Sequence, residues 1–220
     1  MKMKKLFFIL FPILALLCSC EDASDNYRYP SVVTDYACML TDMSKQPKTL
    51  RLDNGCPYPI TLTDEYREAY GQRLPSYKGD TIYRVISIFE LNADSTAHVY
   101  SMAQTISTIP TPLRNVKTLH QDPAYLESCW LSGGYLNLVI ELKALNGEHS
   151  IDFIDTTPET MHGKEFTFYH HTISDIESYR QKLYASIPLT PFSDDLQQGD
   201  TLRFVINTYD KGITEVEFSL

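Results

Sequence analysis

Positive charge is scarce in this chain. Nineteen Lys and Arg stand against 28 Asp and Glu, a formal net charge of −9. Nucleic-acid binding leans on Lys and Arg neutralising phosphate, so no nucleic-acid partner is expected. The same balance argues against an electrostatic grip on anionic lipid. No CxxC pair or Cys/His spacing typical of zinc sites occurs. There is no P-loop and no GxGxxG, and no GxSxG elbow for a serine hydrolase. Past residue 20 no second long apolar run appears, so no further membrane span is expected. Internal repeats and low-complexity tracts are also missing. These absences point to a non-enzymatic chain with no cofactor.

The start of the chain is distinctive. Lys2, Lys4 and Lys5 precede an apolar run, Leu6–Cys18, of 13 residues. A bilayer-spanning helix needs about 20, and Pro12 further disfavours a permanent helix. Residues 1–19 therefore fit a cleaved signal peptide. The end of the run, Leu17-Cys18-Ser19-Cys20, resembles the lipobox of bacterial lipoproteins. That resemblance implies cleavage before Cys20 and diacylation, palmitate-type, of its thiol. Each buried methylene contributes about 0.8 kcal/mol, and two chains give stable anchoring. The expected address is the outer membrane, lipid-anchored, on its periplasmic or cell-surface face. Residues 20–30 form an acidic tether, with Glu21, Asp22 and Asp25. Acidic residues there resemble a surface-export signal of Bacteroidetes lipoproteins. The ten residues Glu21–Pro30 span at most roughly 35 Å. Removal of the leader leaves 16 basic and 28 acidic residues, a net charge of −12.

Beyond the tether the composition is globular, with 15 Tyr and 10 Phe and only 9 Gly. Val32–Thr41, Thr49–Leu52 and Tyr58–Leu62 carry strand patterns, with Asp53-Asn54-Gly55 as a turn. Thr63 or Asp64 can cap a short helix running to Gly71. Thr81–Leu91 is apolar on both faces, which predicts a central strand, and Thr96–Ile106 returns beside it. Three strands, a short helix and two strands is the element order of an OB-fold, a small Greek-key barrel. Ile109–Pro123, with three prolines, reads as a linker or a long connection. After it come strands at Ala124–Leu131, Tyr135–Leu145, His149–Ile154, Glu165–His171, Ala185–Pro188, Thr201–Tyr209 and Ile213–Leu220. Asp175–Leu183 fits a short helix. Short strands at regular spacing predict a sandwich. The expected fold is all-β: an OB-like five-stranded barrel with a short helix over 31–109, then a C-terminal β-sandwich over 110–220.

Two stretches carry a family likeness. They are YPSVVTDYACMLTD (Tyr29–Asp42), with the Asp53-Asn54-Gly55 turn, and CWLSGGYLNLVIEL (Cys129–Leu142), with Glu148-His149 and the later FTFYHH (Phe166–His171). With the leader, they resemble the NigD-like family of Bacteroidetes lipoproteins. The resemblance implies an OB-like domain followed by a β-sandwich. It implies no catalytic residues. The function that follows is a membrane-anchored envelope lipoprotein working as a protein- or peptide-interaction module. The alternatives are a glycan-binding accessory lipoprotein and a hydrolase without a recognisable motif.

Candidate site residues are few. Trp130, Tyr135 and Asn137 offer a ligand surface, an aromatic platform beside an amide. The competing reading puts these aromatics in the core, as Trp is highly buried on average. His149, His170 and His171 are the best candidates for a polar site. Adjacent strand residues point to opposite faces, so His170 and His171 should not share a metal, and no metal site is expected. Asp194-Asp195, beside Ser193, is expected to be a solvated pair. Asp-(Ser/Thr)-X triplets make Thr81, Ser95, Thr156 and Thr201 candidates for O-glycosylation, by resemblance to the acceptor motif of exported Bacteroidetes proteins. Cys38 and Cys56 are the nearest pair of thiols and could be bridged. The favoured alternative makes Cys38, Cys56 and Cys129 small buried hydrophobes.

Overall fold

Alternating apolar and polar residues build five strands in the first half. They are β1 (Val33–Thr41), β2 (Pro47–Leu52), β3 (Pro57–Leu62), β4 (Ile82–Leu91) and β5 (Ala97–Gln104). These close into a barrel in the order β1-β2-β3-β5-β4. Only the β3–β5 seam is parallel; the other pairings are antiparallel. This is the OB-like barrel. Met39, Leu50, Val85, Phe89, Val99 and Met102 fill its interior. β4 lies between β1 and β5, the central place its two apolar faces predict. Its Val85 and Phe89 point inward, whereas Ile82 and Ile88 face out. The computed structural model describes residues 31–220 except 65, 67, 69–76, 146 and 175–177. Thr63 Oγ1 accepts the Tyr66 N–H at 3.0 Å, an N-cap bond, and Asp64, Tyr66 and Glu68 are helical. The remainder of the expected helix to Gly71 lies outside the described residues, as do the leader, Cys20 and the tether to residue 30.

The second half forms β6 (Thr111–Pro112), β7 (Tyr125–Ser132), β8 (Tyr135–Ala144), β9 (Glu148–Asp155), β10 (Gly163–Ser174), β11 (Tyr179–Pro188), β12 (Thr201–Thr208) and β13 (Gly212–Ser219). One sheet has the order β13-β12-β10-β9-β6 and the other β11-β8-β7. Leu136, Leu138 and Ile140 of β8 meet Phe153, Phe166, Phe168 and Phe204 of the larger sheet in one core. Each such side chain contributes about 1.5–3 kcal/mol by burial. The pairings of β10 with β12 and of β6 with β9 are parallel. At the first of these, Gly163 has φ +118, and a Cβ there would collide with the Thr201 carbonyl, so glycine is required.

One expectation needs correction. The stretch expected to be helical, Asp175–Leu183, contributes Tyr179–Leu183 to β11 instead. β11 pairs with β8 along its length, from Tyr179↔Ala144 to Pro188↔Tyr135. Ala185 and Ile187 reach the core, and that burial overrides the helix-forming composition. Residues 175–177 lie outside the described set. Of the two readings of Ile109–Pro123, a linker or a long connection, the second describes it. It holds β6 and a 3-10 turn at Leu113–Asn115, and Gln121 bridges His170 of β10.

Candidate functional site

The outer face of β8 and β11 turns toward the outer face of the barrel, and the two meet in a polar seam. Tyr36 of β1 donates its hydroxyl to the Leu138 carbonyl at 2.6 Å. Its ring meets Trp130 edge-on, with centroids 5.2 Å apart. Arg84 of β4 is the centre. Its Nη2 donates to Asp53 Oδ2 and to Asn137 Oδ1, both at 2.8 Å. Its Nε donates to Ser186 Oγ at 3.3 Å. The guanidinium lies over the Tyr135 ring, 4.3 Å from the centroid. Ser186 donates to Asn137 Oδ1 at 2.8 Å, and Asn137 Nδ2 donates to the Ser132 carbonyl at 3.3 Å. The β7–β8 turn closes over Asp53 because Gly133, at φ +61, has no Cβ; one would collide with that carboxylate. The backbone joins in where Ile106 N–H donates to the Tyr184 carbonyl and Ser186 N–H to that of Ile106.

Burial works against the charge of Arg84, but its bonds to Asp53 outweigh this and raise its pKa. Burial pushes the Tyr36 phenol up as well. Burial, then the Cys38 thiol, lift Tyr135 to about 12. Trp130, Tyr135 and Asn137 thus come together, but toward the barrel. Asn137 is 0 % exposed, and its amide is committed to Arg84, Ser186 and Ser132. Trp130 and Tyr135 beside it stay half-buried. All three described cysteines are free thiols. Cys38 is buried, with Sγ 3.7 Å from Arg84 Nη1, and Cys129 is half-buried. Cys56 corrects the expectation of burial: it is exposed in the β2–β3 turn.

Two solvent-facing cavities border the larger sheet. The segment from β6 to residue 120 contributes lining to two separate hollows. One is an open groove of about 770 Å³, lined by Leu113, Arg114, Asp155, Glu159, Lys164 and Asp195 among others. Lys164 Nζ lies 3.0 Å from Asp195 Oδ2 and 3.4 Å from Asp155 Oδ2. Burial disfavours its charge, but Asp195 and Asp155 prevail and raise its pKa. The other hollow, about 410 Å³, is lined by Asn115, Lys117, Thr118, Ser150, Asp152 and Tyr169 among others. The three prolines of Ile109–Pro123 signal only a break in regular structure. Nothing in the sequence marked it as a wall.

Histidines form a strip across β9 and β10. His170 Nδ1 lies 3.0 Å from the Asp122 carbonyl, which can only accept, so Nδ1 carries the proton. His170 Nε2 then accepts from His149 Nδ1–H at 2.9 Å. Burial, then His149, hold the His170 pKa below its ordinary value, against the Asp122 contacts. On the opposite face His171 stacks on His120 at 3.9 Å. Among the described residues, no three His, Cys, Asp or Glu side chains converge as metal ligands. Of the Asp-Asp pair, Asp194 is exposed and Asp195 faces Lys164. Of the four glycosylation candidates, Ser95 alone is exposed. Thr81 donates to the Gly79 carbonyl, Thr156 bonds Glu165 and Thr167, and Thr201 is half-buried opposite Gly163.

Comparison with known proteins places this architecture. An immunity protein described as NigD-like, from Bacteroides caccae ATCC 43185, has a TM-score of 0.68 and 27% identity, over 87% of this chain and 94% of that one. A protein from Parabacteroides distasonis ATCC 8503 described as toxin-related has a TM-score of 0.65 and 18% identity, over 86% and 93%. A protein of unknown function from Bacteroides vulgatus ATCC 8482 has 0.62 and 13%, over 86% and 91%. The last two are alike in fold alone. No curated protein matches. The family model for the NigD-like C-terminal beta sandwich domain matches residues 91–220, from the last residue of β4 to the end of β13 and beyond. With more than half of its length so matched, this chain belongs to the NigD-like family.

Proposed function

We propose that this protein is an envelope lipoprotein, anchored through Cys20, that acts by binding a protein or peptide partner and not by catalysis. The observation that carries the reading is the open groove beside the 3-10 turn. Leu113 on its wall is 45 % exposed, and Ile109, upstream on the same segment, is 60 % exposed. Apolar anchors amid a polar rim are the anatomy of a protein interface. The mature charge of −12 favours fast encounter with a cationic partner. The immunity role in the name of the B. caccae protein is one form such binding takes. Anchoring is supported by the leader and its lipobox-like end.

Two measurements test this. Acyl labelling in cells should mark the wild-type chain, and Cys20→Ala should lose the label and leave the membrane fraction. A photo-crosslinker at Leu113 in intact cells should capture the same partner in replicate mass spectra. Absence of any reproducible adduct sinks the interaction reading. Protease shaving of the same cells decides between the periplasmic and the cell-surface face.

A further inference from the structure

We propose that the 410 Å³ pocket between the 111–120 segment and the larger sheet binds a single pyranose ring of a neutral saccharide. Its size falls within the roughly 300–1,000 Å³ of small-molecule sites. Lys117 and Asp152 line it together, so their formal charges cancel and charge does not select the ligand. What remains is hydrogen bonding and ring contact. Asn115, Thr118 and Ser150 supply neutral donors and acceptors. Tyr169 supplies an aromatic wall, and buried Ile154 an apolar base. A pyranose has the matching form, with a C–H face for the ring and hydroxyls around the edge.

The lining is preorganised. Asp152 Oδ2 accepts from Thr111 Oγ1 at 2.9 Å, and Oδ1 from the Phe153 N–H at 2.8 Å. Each carboxylate oxygen keeps a further lone pair for a hydroxyl. Tyr169 is propped edge-on by His120, with centroids 5.8 Å apart, and His120 rests on His171. Side chains held by their neighbours are what a precise site needs. Six of the ten lining residues lie on the 111–120 segment and four on β9 and β10. The pocket and the partner groove share no lining residue, so this inference does not depend on the partner proposed above.

The test uses the full chain in a detergent without a sugar headgroup. Saturation-transfer NMR is run with the methyl glycosides of glucose, galactose, mannose and N-acetylglucosamine. At least one should receive saturation. Tyr169→Ala and Asn115→Ala should each weaken its binding by about tenfold or more, equivalent to 1.4 kcal/mol. If Tyr169→Ala does not fold, Thr118→Ala, on the exposed segment, takes its place. Saturation of none of the four glycosides overturns the proposal, as does binding that survives both substitutions. Displacement of the glycoside by a lysine-rich decapeptide reassigns the pocket to peptide and also overturns it. Crosslinking at Leu113 is read separately, so loss of the partner and loss of the saccharide are distinguishable.

Discussion

Arg84 and Lys164 are both cations held by carboxylates, one in the seam and one in the open groove. The Arg84 side chain is 1% exposed and its partner Asp53 13%. Lys164 is partly open to water, and its partner Asp195 is 60% exposed. The seam pair has no solvent to fall back on, so it is structural. It fixes where the barrel sits on the β7–β8 turn. The groove pair can exchange one carboxylate for water or for a ligand at little cost. The same residue types therefore mean architecture in one place and availability in the other, and solvent access separates the two.

The largest expected effect breaks the seam. Asp53→Ala leaves a guanidinium buried without its carboxylate, a loss of about 3–5 kcal/mol. Asp195→Ala should stay within about 1 kcal/mol, as exposed pairs do. Urea midpoints read both. An apolar replacement of the seam pair, Arg84→Met with Asp53→Leu, should recover part of the loss, since the unpaired charge is gone. Equal costs for Asp53→Ala and Asp195→Ala would erase the distinction drawn here.

Much of the fold was legible because it rests on short-range pattern. The period-two alternation of Thr81–Leu91 placed β4, and the turn at Asp53-Asn54-Gly55 separated β2 from β3. Tyr179–Leu183 was misread because its residues favour a helix locally, while the edge of β8 that claims it lies some forty residues earlier. The site was less legible still. Trp130, Tyr135 and Asn137 read as a ligand surface, but their contacts are set by Arg84, distant in sequence and one of three polar residues in β4. A basic residue between Tyr83 and Val85 of a largely apolar strand is the clue to a polar seam. The grooves had no clue, because volume between a segment and a sheet is a property of the folded chain.

Acid acts on the histidine strip and should spare the seam, whose named side chains include no histidine. His170 binds its proton less readily folded than unfolded. Its contribution is therefore fully present above the ordinary value near 6.5 and is lost as pH falls from there through its lower folded value. The slope is at most about 1.4 kcal/mol per pH unit for one proton. Around it stand His149 on β9, His171 on β10, and His120 and Asp122 on the segment before β7. Burial would raise Asp122, but the Thr172 N–H and then His170 outweigh it and hold it low. Its share is lost only below the usual carboxylate range. Melting temperatures should fall from pH 7 to 5, and His170→Phe should flatten that slope. An unchanged slope would place the acid sensitivity elsewhere.

A single seam hydrogen bond sits lower on the scale. Tyr36→Phe keeps the ring against Trp130 and removes only the donor to Leu138, so a loss of about 1 kcal/mol is expected. That size, beside the larger effect of Asp53→Ala, would show that the ion pair and not this hydrogen bond locks the seam.

The smallest effect on stability belongs to the groove. Leu113 is exposed on a 3-10 turn, and a polar replacement there should change stability by no more than about 0.5 kcal/mol. Leu113→Asp should nevertheless abolish partner capture, because it sets a charge where an apolar anchor is needed and the groove is already lined by Asp155, Glu159 and Asp195. Tyr36→Phe supplies the converse, a loss of stability with capture intact. The two variants form a crossed pair, read by urea midpoint and by crosslink yield from the same preparations. If Leu113→Asp captures as well as wild type, the exposed apolar wall of the groove is not the contact. The partner surface then has to be sought away from the 3-10 turn, with exposed Ile213 of β13 as the next apolar position to replace.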